Sequence, residues 1–207
     1  MRCRTGGGDR RARYGRRVPW PTLRTERLVL RPLTLEDLND LAPLHAQESF
    51  WRYPFGRGQS RQDTEDFLED NIRRYSDPGI AVSAVVIAET GQLAGWAGLS
   101  IPTFLPEILP AVEVGWRLGE QYRGHGYATE AGAAWVAYGF EHLGLDRIVS
   151  IFQPDNVASG AVMRRLGFSF ERETKHPKLG VVVHVFALTR DQWRALGAGR
   201  GRRVEPS

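Results

Sequence analysis

The chain has 207 residues, 42% of them hydrophobic, which suits one globular domain with a sizeable core. No apolar run approaches the ~20 residues of a bilayer span, no apolar stretch marks a secretory leader, and the lone cysteine, Cys3, excludes an internal disulfide or a cysteine-built metal site. The pI of about 9.6 comes from the ends: residues 1–21 hold seven arginines against one aspartate and residues 197–207 three arginines against one glutamate, so that within a net charge of +4 the body from 22 to 196 carries −4.

These features predict no membrane partner, no metal and a cytoplasmic location. An arginine-rich tail can hold nucleic acid by phosphate contact. Yet arginine outnumbers lysine 26 to 2 along the whole chain, which reads as compositional bias, and the body has neither a basic stripe nor zinc-finger spacing. The expectation is a disordered basic tail at 1–21, one folded domain at 22–196, a second tail at 197–207 and no nucleic-acid partner.

In chain order, residues 22–32 read as a first strand, with Leu23, Leu28, Val29 and Leu30 among arginines and Pro32 ending it. Thr34 opens a helix with Asp37 in a near capping box, Leu35, Leu38 and Leu41 on one face, and Pro43 bending or dividing it. Residues 47–60 carry Phe50, Trp51, Tyr53 and Phe55 in a loop-like stretch. Such aromatics either cap one end of the core or wall a substrate pocket, with Trp51, Tyr53 and Phe55 the candidate acceptor contacts. Aromatics exposed near Trp51 would also leave room for a homodimer. Ser60 caps a second helix over 62–75, whose Phe67, Leu68 and Ile72 face inward. Asp77-Pro78-Gly79 is a turn. Residues 80–88 and 93–101 form a hairpin, and three prolines make 102–110 a loop.

The centre of the chain is a strand at 112–118, a turn with Gly124 and Gly126, and a helix from Ala128 to about His142. Free N–H groups at a helix start, the helix dipole and glycine's freedom to take positive φ together make an anion site. A strand at 147–152, a short helix at 158–166 and strands at 168–174 and 181–189 follow. Residues 191–196 form at most a frayed helical turn. Hairpins mixed with helical crossovers give an α/β (α+β) fold, a mixed sheet flanked by helices.

Two nucleotide sites fail at the glycine turn. A P-loop needs Gly-Lys-Ser/Thr, and here Tyr127-Ala128-Thr129 follows the glycines; a dinucleotide fingerprint needs a third glycine where Thr129 stands. The remaining pattern, Gln121-x-x-Gly124-x-Gly126, resembles the acetyl-coenzyme A motif of the GNAT N-acetyltransferases. Arg123-Gly124-His125-Gly126-Tyr127-Ala128-Thr129-Glu130-Ala131, the opening run from Leu23 to Pro32, and Asn156 and Ser159 with Arg165-Leu166-Gly167-Phe168 are similar to the ribosomal-protein N-terminal branch of that family. The resemblance covers about 23–190 in the family's order.

It implies a central mixed sheet splayed between two parallel strands, and transfer of acetyl from acetyl-CoA to a primary amine by direct attack in a ternary complex. Backbone N–H groups of Arg123, Gly124, His125, Gly126, Tyr127 and Ala128 would cradle the pyrophosphate. Trp116, Arg117 and Leu118 would pair with the pantetheine arm, and Asn156 would bond it across the splay. Glu113 is the nominated base, or else a solvated or paired carboxylate. Alternation sets it opposite Val112 and Val114. A backbone N–H near Val114 or Gly115 would steady the thioester oxygen. The tyrosine that many members use as thiolate acid is here Met163, so Ser159 is nominated, with helix capping as its other reading. His125 reads as a surface side chain, Tyr127 as packing on the helix start, and Glu130 as suited to the dipole. Met163 also keeps open a non-catalytic, CoA-binding regulatory domain. A site without the tyrosine acid fits an α-amine, with a reference pKa of ~8, or a small-molecule amine of low pKa better than lysine at ~10.4. Glu48, Glu107 and Glu113 could attract a cationic acceptor, a small-molecule amine or a protein N-terminus.

Overall fold

The computed structural model describes residues 20–76 and 80–197. Its strands are β1 (Leu23–Arg24), β2 (Leu28–Pro32), β3 (Val82–Ile87), β4 (Leu93–Ser100), β5 (Glu113–Leu118), β6 (Arg147–Phe152), β7 (Ser169–Lys175) and β8 (Val182–Thr189). The helices are α1 (Leu38–His45), α2 (Arg61–Arg74), α3 (Tyr127–Glu141), α4 (Val157–Arg165) and α5 (Arg190–Ala195). The strands form one sheet in the order β1-β2-β3-β4-β5-β6-β8-β7. Every neighbouring pair is antiparallel except β5 and β6.

Four expectations change or narrow. The first strand is two, because the Thr25 hydroxyl accepts from the Leu28 N–H (3.0 Å) while the Thr25 N–H donates to the Leu28 carbonyl (3.0 Å), closing a tight turn. Leu35 is exposed rather than sharing the face of Leu41, because residues 35–37 form a 3₁₀ turn ahead of α1 and set Leu35 out of phase. Pro43 lies within α1 without dividing it. The last segment is a capped helix rather than a frayed turn: Thr189 and Gln192 form a capping box, and Trp193 packs 5.3 Å from Phe140. The turn expected at 77–79 and nearly all of the two tails lie outside the described residues. The core reaches back to Trp20, whose ring stacks 5.1 Å from Trp135 and whose indole N–H donates to Ser83 Oγ at 2.8 Å.

Helix α3 lies close against the sheet because its contact face is small. A Cβ on Gly139 would come 2.8 Å from Ile148, and one on Gly132 would come 2.9 Å from Leu166 and 3.3 Å from the Trp116 ring. Ala131, Ala134 and Trp135 fill the rest of that face. This close approach fixes the N-terminus of α3 at the end of β5, where the anion turn sits.

Candidate active site

Strands β5 and β6 pair at a single position, Glu113 opposite Val149, and then part. The Val112 carbonyl accepts from the Val149 N–H (2.9 Å), and the Val114 carbonyl accepts from Ser150 Oγ (2.9 Å). Alternate residues of β5 thus turn their backbone to β6. The others turn to β4, as the N–H of Gly119 does toward Ala94 (2.9 Å). Trp116 is the first residue past the last pairing whose backbone faces the gap. Gly115 faces β4 instead, so the open-edge N–H that could steady an oxyanion is Trp116's rather than that of Val114 or Gly115. The Leu118 carbonyl on this edge accepts from Arg123 Nε (3.2 Å).

At the end of β5 the chain turns through Gly124 (φ +80) and Gly126 (φ +82), and α3 begins with no side chain capping its N-terminus. Its first-turn N–H groups are left for an anion. Of the expected backbone cradle, Arg123 drops out as an N–H donor, because its N–H is held by the Glu120 carbonyl (3.1 Å) in a 3₁₀ turn. Gly124, Gly126, Tyr127 and Ala128 line the cleft; the His125 ring stacks on Tyr127 (5.5 Å) and stays out of it. The carboxylate of Glu130 ties this turn to the first hairpin. It accepts from Thr25 Oγ1 (2.6 Å) and from the Arg27 N–H (2.9 Å) and pairs with the Arg27 guanidinium (2.6 Å). Burial alone would raise its pKa, but these hydrogen bonds hold it below the usual carboxylate range. Arg27 also donates to the His125 carbonyl (2.9 Å) and lies over the Tyr127 ring. Thr25 and Arg27 in the opening run were the sequence signal for this buttress, which the dipole argument for Glu130 did not reach.

Glu113 projects from β5 on the side of Gly115 and Arg117, opposite the buried Val114. Burial pushes its pKa up to about 7; the Ile151 N–H, the Ser100 hydroxyl (3.5 Å) and Arg117 pull the other way. A carboxylate poised there accepts a proton near neutral pH.

The sequence profile of the acetyltransferase (GNAT) domain matches residues 27–169. The chain belongs to the GNAT acetyltransferase family. An uncharacterized N-acetyltransferase p20 of Bacillus licheniformis is 28% identical over 185 residues, 83% of this chain and 98% of that one. A spermidine N(1)-acetyltransferase of Escherichia coli is 28% identical over 148 residues, 71% and 75% of the two chains. A structure of RimL, a ribosomal L7/L12 α-N-protein acetyltransferase in complex with coenzyme A, superposes with a TM-score of 0.67 at 19% identity, over 81% of this chain and 97% of that one. The GNAT fold uses acetyl-CoA. The uncapped helix start, the two positive-φ glycines and the open edge of β5 fit its pyrophosphate and its amide-bearing arm.

In this GNAT domain a cleft of 2430 Å³ runs from the glycine turn past Trp116, Glu113 and Asn156 to Phe104 and His176, whose rings stack at 5.2 Å. Asn156, not Ser159, caps α4: its side-chain oxygen accepts the Ser159 N–H at 3.2 Å. The Ser159 hydroxyl, half-buried on the cleft wall, makes no side-chain hydrogen bond among the described residues. Met163 is buried in the main core.

The aromatic stretch divides between the core and the wall of the cleft. Phe50 and Trp51 are buried, and Phe50, Tyr53 and Phe55 line the cleft. Trp51 is set back from the cleft because the Arg117 guanidinium lies over its ring at 4.4 Å. Arg117 also donates to the carbonyls of Phe50 (2.6 Å) and Tyr53 (2.7 Å), so its side chain anchors the loop and does not face the gap. Arg123 adds a bond to the Ser49 carbonyl (2.7 Å). The Tyr53 hydroxyl crosses the cleft to the Asp155 carbonyl (3.0 Å). Glu48 and Glu107 do not line the cleft. Among the described residues no metal-binding group occurs and no helix is long and apolar enough to cross a membrane.

Proposed function

We propose that the chain transfers acetyl from acetyl-CoA to a primary amine by direct attack within a ternary complex. The observation that carries this reading is Glu113, a carboxylate with a pKa of about 7 beside the single pairing of β5 and β6. The N–H groups from Gly124 to Ala128 hold the pyrophosphate. The Trp116 and Leu118 backbone pairs with the pantetheine arm, and the Asn156 amide N–H₂, left free by its capping oxygen, donates to it. Glu113 takes the proton of the attacking amine, directly or through a water, as the nitrogen forms its bond to the thioester carbonyl carbon. The Trp116 N–H steadies the carbonyl oxygen. Ser159 gives its proton to the sulfur as the C–S bond breaks.

A base of pKa about 7 suits an amine of modest basicity. An α-amino group, at ~8, lies near it, whereas lysine at ~10.4 does not. Arg52, Tyr53, Phe55 and Phe104 line the cleft together with Glu113, whereas Glu48 and Glu107 lie outside it. These features favour an amine with one positive charge on an apolar or aromatic body, as a small molecule or a protein N-terminus in the cytoplasm. The test is release of free thiol from acetyl-CoA with a panel of α-amines, arylalkylamines and polyamines. Glu113→Gln is expected to lower kcat by about 10²- to 10⁴-fold, the range of a general base. Tight acetyl-CoA binding with no turnover on any amine would replace this reading with a non-catalytic CoA-binding domain.

A further inference from the structure

We propose that Ser150 is a positioning residue of this site: its hydroxyl takes the Val114 carbonyl in place of a ladder hydrogen bond and so fixes where β5 and β6 part. The inference rests on the functional reading above for its kinetic consequences, but its geometry stands apart from it.

A parallel ladder that begins with the Val149 N–H on the Val112 carbonyl continues, two residues along each strand, with the Ile151 N–H on the Val114 carbonyl. That rung is missing here. Glu113 opposite Val149 is the only register pair between the strands. The Val114 carbonyl is met instead by Ser150 Oγ at 2.9 Å, from a side chain only 2% exposed. The Ile151 N–H, released from the ladder, acts on the Glu113 carboxylate. One hydroxyl therefore does two things. It satisfies a buried carbonyl that would otherwise draw β6 back against β5. It also leaves a backbone donor free for the base. Trp116, the first open-edge residue, lies just past this point, so the position of the splay decides which backbone groups meet the thioester and the pantetheine arm.

Replacing Ser150 by alanine leaves the Val114 carbonyl to recapture the Ile151 N–H. The splay then starts one rung later and the carboxylate loses a donor. The other groups acting on Glu113 are the Ser100 hydroxyl of β4 and the Arg117 guanidinium of β5; His176 and Asp155 line the same cleft, and the substitution changes none of these. Ser150→Ala is expected to lower kcat/KM for acetyl-CoA about tenfold, the worth of one hydrogen bond, and to move the acid limb of the pH–rate profile to higher pH. Ser150→Thr keeps a hydroxyl on the same carbon and is expected to restore both. Carbon-13 NMR titration of the Glu113 carboxyl reads the geometry without turnover: its midpoint should rise in Ser150→Ala and return in Ser150→Thr. A folded Ser150→Ala with an unchanged Glu113 midpoint overturns the proposal, as does a Ser150→Thr protein no closer to wild type than the alanine variant. Were the wild type to acetylate no amine, the functional reading would fall and the titration would still decide the role of Ser150.

Discussion

Glu113 and Arg117 stand four residues apart on one face of one strand, yet the first is aimed at chemistry and the second at architecture. The difference lies in what each meets. Glu113 lies where β6 has just left the sheet, and burial there lifts its pKa. Arg117 meets two loop carbonyls and two indole rings. The carboxylate was legible from alternation along the strand. The arginine was not, because its partners lie 67 and 64 residues away in the chain. Ser159 shows the same limit in another form. Asn156 and Ser159 are both capping residue types, three apart, and sequence alone could not say which one caps. With Asn156 in that role, the two variants should separate. Ser159→Ala is expected to lower kcat by about 10²-fold while changing stability by less than about 0.5 kcal/mol. Asn156→Ala should cost about 1 kcal/mol of stability as a lost cap. Thermal melts beside steady-state kinetics check both, and a Ser159→Ala enzyme with full kcat would remove it as the acid.

At the scale of elements, the long helices and most strands could be read because their periodicity is local. The two errors of type, the divided first strand and the capped α5, came from side-chain bonds that override or rescue a short segment. The Thr189–Gln192 pair was readable as a capping box, but nothing local announced that Trp193 would find Phe140. The aromatic stretch between α1 and α2 is the clearest case of an element shaped from outside. Its backbone is held by Arg117 at Phe50 and Tyr53 and by Arg123 at Ser49. Beneath it, burial and then Arg117 hold His45 neutral, with a pKa lowered to about 3. Arg117→Met keeps the packing length but removes two charge-assisted bonds, each worth ~1.5–3 kcal/mol. Amide hydrogen exchange over 48–56 is therefore expected to speed by at least about tenfold, and KM for the acceptor to rise more than KM for acetyl-CoA. Unchanged protection in that stretch would show that the loop holds its shape without the arginine.

For the molecule as a whole, the splay that opens the active site also holds a half-buried acid, and this should be visible in stability without any substrate. Glu113 has an ordinary pKa of 4.5 and a folded value of about 7. Between those pH values the folded chain keeps a proton that the unfolded chain has released, so this residue makes stability fall as pH rises. His45 works the opposite way. With an ordinary value of 6.5 and a folded value of about 3, it lacks a proton that the unfolded chain has taken up, so stability falls as pH drops below 6.5. The two slopes overlap between pH 4.5 and 6.5 and offset each other there. Glu113→Gln removes only the first. Its stability relative to wild type should climb by up to about 1.4 kcal/mol per pH unit from pH 4.5 and level off above pH 7, leaving the variant more stable than wild type at pH 8 and far less active. Denaturant unfolding of both proteins across that range makes the comparison, and groups such as Glu130 that titrate alike in the two cancel from the difference. Parallel stability curves would mean that Glu113 is not held protonated in the fold, and the base assigned to this site would have to be sought elsewhere in the cleft.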